Sequence, residues 1–322
     1  MTLLGGVDIG GTKCAVTLGE AEEGVVRIVR KEQFPTPVAP EETIARLREL
    51  LAAHLAEYNG GTLEAIGISC GGPLDSRSGL VLSPPNLPSW DRIDCVTPFK
   101  EQFGVPTALQ NDANACALAE WKWGAGKGTR NMVFLTFGTG MGAGLILDGK
   151  LYAGTNDMAG EVGHVRMAEE GPVGFGKAGS FEGFCSGGGI ARLARARAEE
   201  AIRRGVPPAF CPVPEQLVHV TAKSVGEAAE RGDPLALGIY RTVGEKLGRG
   251  LAILVDLLNP EAIVIGSIYG RQRALLEPIV RAELEKEALP IALGVCRIVP
   301  AGLGEKVGDY AGLSVALNVL ER

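Results

Sequence analysis

The segment Asp8-Ile9-Gly10-Gly11-Thr12-Lys13 decides the reading of this chain. It stands in a turn between two strand-like runs, LLGGVDI before it and CAVTLGE after it. It is not a Walker A loop, whose lysine and hydroxyl residue open a helix, and it is not G-x-G-x-x-G. A tight Gly-Gly turn lets backbone N–H groups and the Thr12 hydroxyl approach a phosphate, while Asp8 can hold a hydrated magnesium ion. Alone, the same residues read equally well as a glycine β-turn flanked by ordinary polar side chains.

A second glycine turn changes the balance: Thr136-Phe137-Gly138-Thr139-Gly140-Met141-Gly142-Ala143-Gly144, between the strand-like runs NMVFLTFG and LILDGKLYAG. Two phosphate-type turns, each between strands and each in its own half, are expected to close on one triphosphate from both sides. That is the signature of the ATPase fold shared by sugar kinases, Hsp70 and actin. Outward from the first turn lie a further strand, GVVRIVRKEQF, and a helix over 41–58 with apolar residues at Ile44, Leu47, Leu50, Leu51 and Leu55. AIGISCGG reads as a buried strand. Beyond the second turn come a long helix over 235–258, the strand EAIVIG, a helix over 271–288 and a C-terminal helix in GDYAGLSVALNVLER. The repeated strand–turn–strand pattern predicts a weak internal duplication. The expected fold is α/β, a two-domain actin/hexokinase-like ATPase with ribonuclease H-like sheets and the active site in the interdomain cleft. A small α/β domain is expected over 1–117 plus about 301–322, and a larger one over 118–300.

Composition excludes several classes. A length of 322 residues suits two domains, and 46 glycines concentrated at particular turns point to binding loops. A net charge of −6 argues against nucleic acid or anionic membranes as partners. No basic segment followed by an apolar stretch opens the chain, and the run LAILVDLL is broken by Asp256, so a cytoplasmic location is expected. Seven scattered cysteines, with no C-x-x-C pair, fit reduced thiols.

Between the two turns lies Gln110-Asn111-Asp112-Ala113-Asn114-Ala115, ahead of the helical run ALAEWKWG. Asn111 or Asp112 can simply cap that helix. Alternatively Asp112 accepts the proton of a hydroxyl attacking the γ-phosphate, since phosphoryl transfer needs positioning, charge neutralisation and one such acceptor. The two roles are compatible, one residue capping while its neighbour reacts.

Taken together, these segments resemble the ROK family (repressors, open reading frames and kinases) over most of the chain. Asp8-x-Gly10-Gly11-Thr12-Lys13 resembles its first phosphate loop, and Gly138-Thr139-Gly140-x-Gly142-x-Gly144 its second. Gly67-Ile68-Ser69-Cys70-Gly71-Gly72-Pro73-Leu74-Asp75 is similar to its G-x-x-x-x-G-P-x-D loop on the sugar side, and Asn86-Leu87-Pro88-x-Trp90 to the N-L-x-x-W stretch that follows. Asn111-Asp112-Ala113-Asn114 resembles its N-D-A-N segment, and Gly160-Glu161-x-Gly163-His164 its G-E-x-G-H signature. The resemblance implies ATP and Mg2+ as cofactors, with Asp8, Gly10, Gly11, Thr12, Lys13, Gly138, Thr139, Gly140 and Gly266 on the nucleotide and Asp8 reaching magnesium through water. It implies Asp112 as catalytic base, and Gly71, Asn86, Asn111, Asp112, Glu161, His164 and Glu182 on the sugar. It also implies a homodimer. The expected activity is ATP-dependent phosphorylation of a hexose hydroxyl, as in a glucokinase. A kinase for an amino sugar, allose or fructose, and a catalytically inactive sugar sensor of the same fold, are the alternatives.

The chain departs from the family in two places. Family members follow G-H with C-x-C-G-x-x-G-C-x-E, whose cysteines and histidine hold zinc. Here Val173, Phe175 and Ser180 stand at the cysteine positions while the glycines and Glu182 remain, so no zinc is expected, and Phe175 and Phe181 are expected to stabilise the loop by packing. Lys177 reads as a solvated loop lysine or a ligand contact. After EAIVIG the family's glycine run is replaced by Gly266-Ser267-Ile268-Tyr269, whose bulk is expected to alter the adenosine pocket. A DNA-binding repressor is the other class considered; the seven residues before Asp8 and the acidic charge speak against it.

Overall fold

A computed structural model describes residues 1–22 and 24–321. In chain order it begins with β1 (Thr2–Ile9), β2 (Lys13–Glu22), β3 (Val25–Pro35), α1 (Pro40–Ala56) and β4 (Leu63–Cys70). The short strands β5 (Leu74–Asp75), β6 (Leu80–Leu82) and β7 (Asp91–Asp94) follow, then α2 (Thr97–Phe103), β8 (Thr107–Asn111) and α3 (Asp112–Trp123). Next come β9 (Met132–Leu135), β10 (Ala143–Leu147), β11 (Lys150–Tyr152), β12 (Val173–Gly174) and β13 (Lys177–Ala178). Helices α4 (Phe181–Phe184), α5 (Gly187–Arg203), α6 (Ala222–Glu230) and α7 (Pro234–Leu258) lead to β14 (Ala262–Ile265). The chain closes with α8 (Ile268–Arg271), α9 (Arg273–Glu287), α10 (Pro290–Leu293), β15 (Arg297–Pro300) and α11 (Val307–Leu320). No helix among the described residues is long and apolar enough to cross a membrane.

Two five-stranded sheets have matching orders, β3-β2-β1-β4-β8 and β11-β10-β9-β14-β15. In the first, β1–β2 and β2–β3 are antiparallel while β1–β4 and β4–β8 are parallel. In the second, β10–β11 is antiparallel and β9–β14–β15 is parallel. The run LILDGKLYAG, read as one strand, is two: Asp148 (φ 52°) and Gly149 (φ 73°) form a two-residue hairpin turn with both φ positive. The helix expected over 271–288 is α9, preceded across Gln272 by the short α8.

The described chain divides into two compact units. One holds Met1–Arg130, Gly144–Ala159 and the residues from Gly302 onward; the other holds Asn131–Ala143 and Gly160–Ala301. This differs from a boundary at residue 118, because that position lies inside α3 and α3 stays whole in the first unit. The reason is Glu120, fully buried, whose carboxylate accepts from the N–H groups of Ala125, Gly302 and Leu303 at 2.8–2.9 Å. In that unit Ile44, Leu47 and Leu51 of α1 cover one face of the sheet together with Trp90 and Phe99. Helix α11 covers the other through Leu313 and Ala316. It sits so close that a Cβ on Gly67 would lie 2.1 Å from the Gly312 carbonyl oxygen.

The second unit is built on buried strands, Val133-Phe134-Leu135 and Ile263-Val264-Ile265, each residue at most 1% exposed. Continuous apolar strands of this kind are covered on both faces. Helix α7 begins at Asp233, whose carboxylate accepts from the Leu235 and Ala236 N–H groups, and ends at left-handed Asn259 before Pro260.

Candidate active site

In the first unit the strand register aligns the functional residues. Asp8 of β1 is level with Ser69 of β4, and Ser69 with Gln110 of β8. The turns that follow these parallel strands therefore leave together from their carboxyl ends, where α/β sheets bind ligands. Gly10 closes the first turn by donating to the Lys13 carbonyl at 3.1 Å, and the Thr36 hydroxyl donates to the Gly10 carbonyl at 2.6 Å. Gly11 is a position only glycine fits: a Cβ there would lie 2.5 Å from the Asn86 carbonyl oxygen and 2.7 Å from Asn86 Cβ. That contact brings exposed Asn86 onto the turn, anchored by buried Leu87 and Trp90. Gly72 lies against the Asn111 amide nitrogen, whereas Gly71 borders open space.

Asn111 and Asp112 share the start of α3. The Ala113 N–H donates to Asn111 Oδ1 at 2.9 Å and to Asp112 Oδ1 at 2.8 Å, so capping and a poised carboxylate coexist. Asp112 is exposed to solvent, yet desolvation by the protein crowded around it raises its carboxyl pKa against those backbone bonds. Asp8 is half-buried and its pKa is pushed up to about 6, first by desolvation and then by the neighbouring Asp112 charge, with the Ser69 hydroxyl and Lys13 acting in the opposite direction. Two carboxylates that oppose each other's ionisation in this way form a donor set suited to a hydrated divalent cation. Among the described residues no group of three or more His, Cys, Asp or Glu is placed to hold a metal directly.

In the second unit the long glycine turn is cross-braced. Thr136 N–H donates to the Gly142 carbonyl at 3.0 Å, and the Gly142 N–H donates to Thr136 Oγ1 at 2.8 Å. Glu182 accepts from the Met141 N–H at 3.1 Å, which fixes this carboxylate on the turn beside Gly140. Gly160 and Gly163 pack on the same backbone: a Cβ on Gly160 would lie 2.0 Å from the Ala143 oxygen, and one on Gly163 2.3 Å from the Met141 oxygen. This close approach seats Glu161 and His164, both exposed, alongside the turn.

The loop beyond His164 is held without thiolates. Ser180, at one expected cysteine position and fully buried, caps α4 by accepting from the Gly183 N–H at 3.1 Å. Val173 pairs with Ala178 in a two-strand hairpin. Phe181 is buried and fills the space a side chain on Gly250 would need. Phe175 does not pack inside as expected; it is 70% exposed at φ 41°, and its ring meets the His164 imidazole edge-on at 5.7 Å. Lys177 is half-buried, and its ammonium donates to the His164 carbonyl at 2.7 Å in a solvent-exposed bond.

A cavity of about 800 Å³ opens beside the turn, lined among others by Gly138, Thr139, Gly187, Gly188, Ser267 and Gln272. Sequence reasoning passed over the Gly187-Gly188 start of α5 and Ser267. The signals were available: Ser186 before a triple glycine reads as a cap, and it accepts from the Gly189 N–H at 3.0 Å while the Gly187 N–H donates to the Gly138 carbonyl at 2.7 Å, which ties the start of α5 to the turn. Ser267 keeps a backbone that favours glycine (φ 49°, ψ −108°), so the turn survives although the glycine run does not. Gly266 donates its N–H to the Leu135 carbonyl at 2.9 Å and holds that turn rather than lining the cavity. The expected bulk is also absent from most of the cavity, because Tyr269 points elsewhere and only Ile268 lines it.

The model of the ROK family matches residues 4–316. The chain belongs to the ROK family. A glucokinase of Streptomyces coelicolor is 31% identical over 99% of this ROK protein and 98% of its own length. An N-acetylmannosamine kinase of Salmonella heidelberg is 32% identical over 90% and 92%. Among solved structures, a ROK family glucokinase from Streptomyces griseus in complex with glucose and AMPPNP is 30% identical, with a TM-score of 0.75 over 98% of this chain and 99% of that one. The two-domain hexokinase-like ATPase fold of this ROK protein follows from these likenesses and its paired sheets.

Proposed function

We propose that this ROK protein is a sugar kinase that transfers the γ-phosphoryl group of Mg-ATP to a hexose hydroxyl, with glucose the first candidate. The observation that carries this reading is the Asp112 carboxylate, solvent-exposed, fixed by a backbone N–H at the start of α3, and raised in basicity by desolvation. A base so placed takes the proton of the attacking hydroxyl as the phosphoryl group leaves ADP. Asn111 and Asn86 stand at the same strand ends and are assigned to sugar hydroxyls, as are Glu161, His164 and Glu182 in the second unit. Gly10–Lys13, Gly138–Gly140 and the α5 start are assigned to the phosphates, whose charge suits backbone N–H groups and a helix N-terminus. Asp8 would hold the magnesium ion through water, and the ion would neutralise charge on the β- and γ-phosphates.

Support for glucose comes from the glucokinase relatives, and an N-acetylated hexosamine stands second through the N-acetylmannosamine kinase. The test is ADP release with Mg-ATP across hexoses and amino sugars, on wild type and Asp112→Asn. One sugar should stimulate release strongly in the wild type. Asp112→Asn should lose turnover by roughly 10²–10⁴-fold while still binding that sugar in a calorimeter. Near-normal turnover in the variant would remove Asp112 as the base. No stimulation by any sugar, with binding retained, would favour a sensor.

A further inference from the structure

A second cavity, of about 380 Å³, lies in the same unit as the 800 Å³ one and shares a wall with it. The wall is the segment from Ser267 to Arg273. Ser267, Ile268, Arg271 and Gln272 line the larger cavity, while Tyr269 and Arg273 line the smaller. Tyr269 is 1% exposed, and its hydroxyl has no hydrogen-bond partner among the described residues although it lines the space. A phenol that faces an open cavity in this way offers a donor to a ligand.

The charged lining has a definite sign. Arg273 is engaged by Glu277 in a two-pronged pair at 2.9 and 3.0 Å. Arg281 and Arg297 line the cavity with no hydrogen bond or ion pair among the described residues, against a single other carboxylate, Glu285. Aliphatic residues such as Val280 and Leu284 supply the remaining surface. Arg281, whose charge also acts on Glu277, and Arg297, both exposed at the rim, together with one phenol donor and an apolar floor match a small anion with an apolar body. The volume is at the small end of ligand sites.

We propose that this cavity is a second ligand site, for a phosphate monoester of small apolar body, held by Arg281, Arg297 and Tyr269 behind the Gly266–Ser267 turn. Because one short segment walls both cavities, a ligand here shifts nucleotide affinity by moving that segment. The site itself stands without the kinase reading; only the coupling rests on it.

Phenyl phosphate is the probe, titrated calorimetrically into the intact protein saturated with AMPPNP. AMPPNP binding is measured first in the same cell, so failure of the nucleotide assignment is seen separately. Saturable binding is expected, weakened about tenfold or more in the Arg281→Ala/Arg297→Ala double variant and several-fold in Tyr269→Phe. AMPPNP affinity of the wild type should shift several-fold with phenyl phosphate present, and stay unmoved in the double variant. No saturable binding to the wild type, or equal binding by the double variant, overturns the site. Unchanged AMPPNP affinity in the wild type overturns the coupling.

Discussion

Asp8 carries the largest electrostatic cost in the candidate site. Its folded pKa of about 6 lies above the value of 3.8 that an ordinary aspartate has, so the charged form is disfavoured in the folded state. The sign follows: above pH 6 this group lowers stability, and the loss is recovered as pH falls from 6 towards 4 and the folded state takes up the proton. Asp8→Asn should stabilise the apo-protein by roughly 1–3 kcal/mol at pH 8, with the gain vanishing near pH 4. Denaturant unfolding at the two pH values measures it; an equal gain at both would show that desolvated charge is not the cause. Phe175 belongs to the same scale. Largely exposed and at positive φ in the turn between β12 and β13, it sets its ring edge-on to the His164 imidazole. Phe175→Ala should raise KM for the sugar by roughly 2–10-fold, with kcat and KM for ATP unchanged. Equal KM values for sugar would detach Phe175 from His164 function.

On the proposed reading, the element that sets the sugar-side geometry is α4, one turn long. So short a helix has no stability of its own and depends on its cap and its packing. Ser180 supplies the first and Phe181 the second, and together they hold Glu182 at the Met141 N–H. Ser180→Ala removes the cap and strands a buried N–H. It should cost roughly 1–2 kcal/mol of stability and raise KM for sugar through a loosened Glu182. Unchanged stability and KM would mean that packing of Phe181 alone fixes the turn. The Ser180 hydroxyl thus does local backbone work at the start of α4.

At the scale of the molecule, the residues from Gly302 onward return to the first unit, and Glu120 is the buried clasp. Its three backbone donors come from both sides of a long sequence separation, Ala125 and Gly302–Leu303. Glu120→Ala should destabilise by about 3 kcal/mol or more, since three buried N–H groups lose their acceptor. Glu120→Gln, which keeps one acceptor oxygen, should cost less. The two variants are compared by urea unfolding, and indifference to both would sink the clasp.

Motifs legible in the sequence were those whose chemistry is local. The Gly10-Gly11 and Gly138–Gly144 turns, the cap at Asn111-Asp112, and the apolar faces of α1 and α7 each depend on residues within a few positions, so spacing alone determined them. The two-fold strand pattern also announced the paired sheets. What only the tertiary structure decided depends on close approach between distant segments. Gly11 against Asn86, Gly163 against Met141, and the Glu120 clasp follow from contacts that no periodicity encodes. Side-chain direction was equally hidden. Phe175 and Tyr269 looked alike as bulky replacements, yet one stands in solvent over His164 and the other is buried against a second cavity. A residue's type sets what it can do, but the packing of remote backbone sets the space it points into.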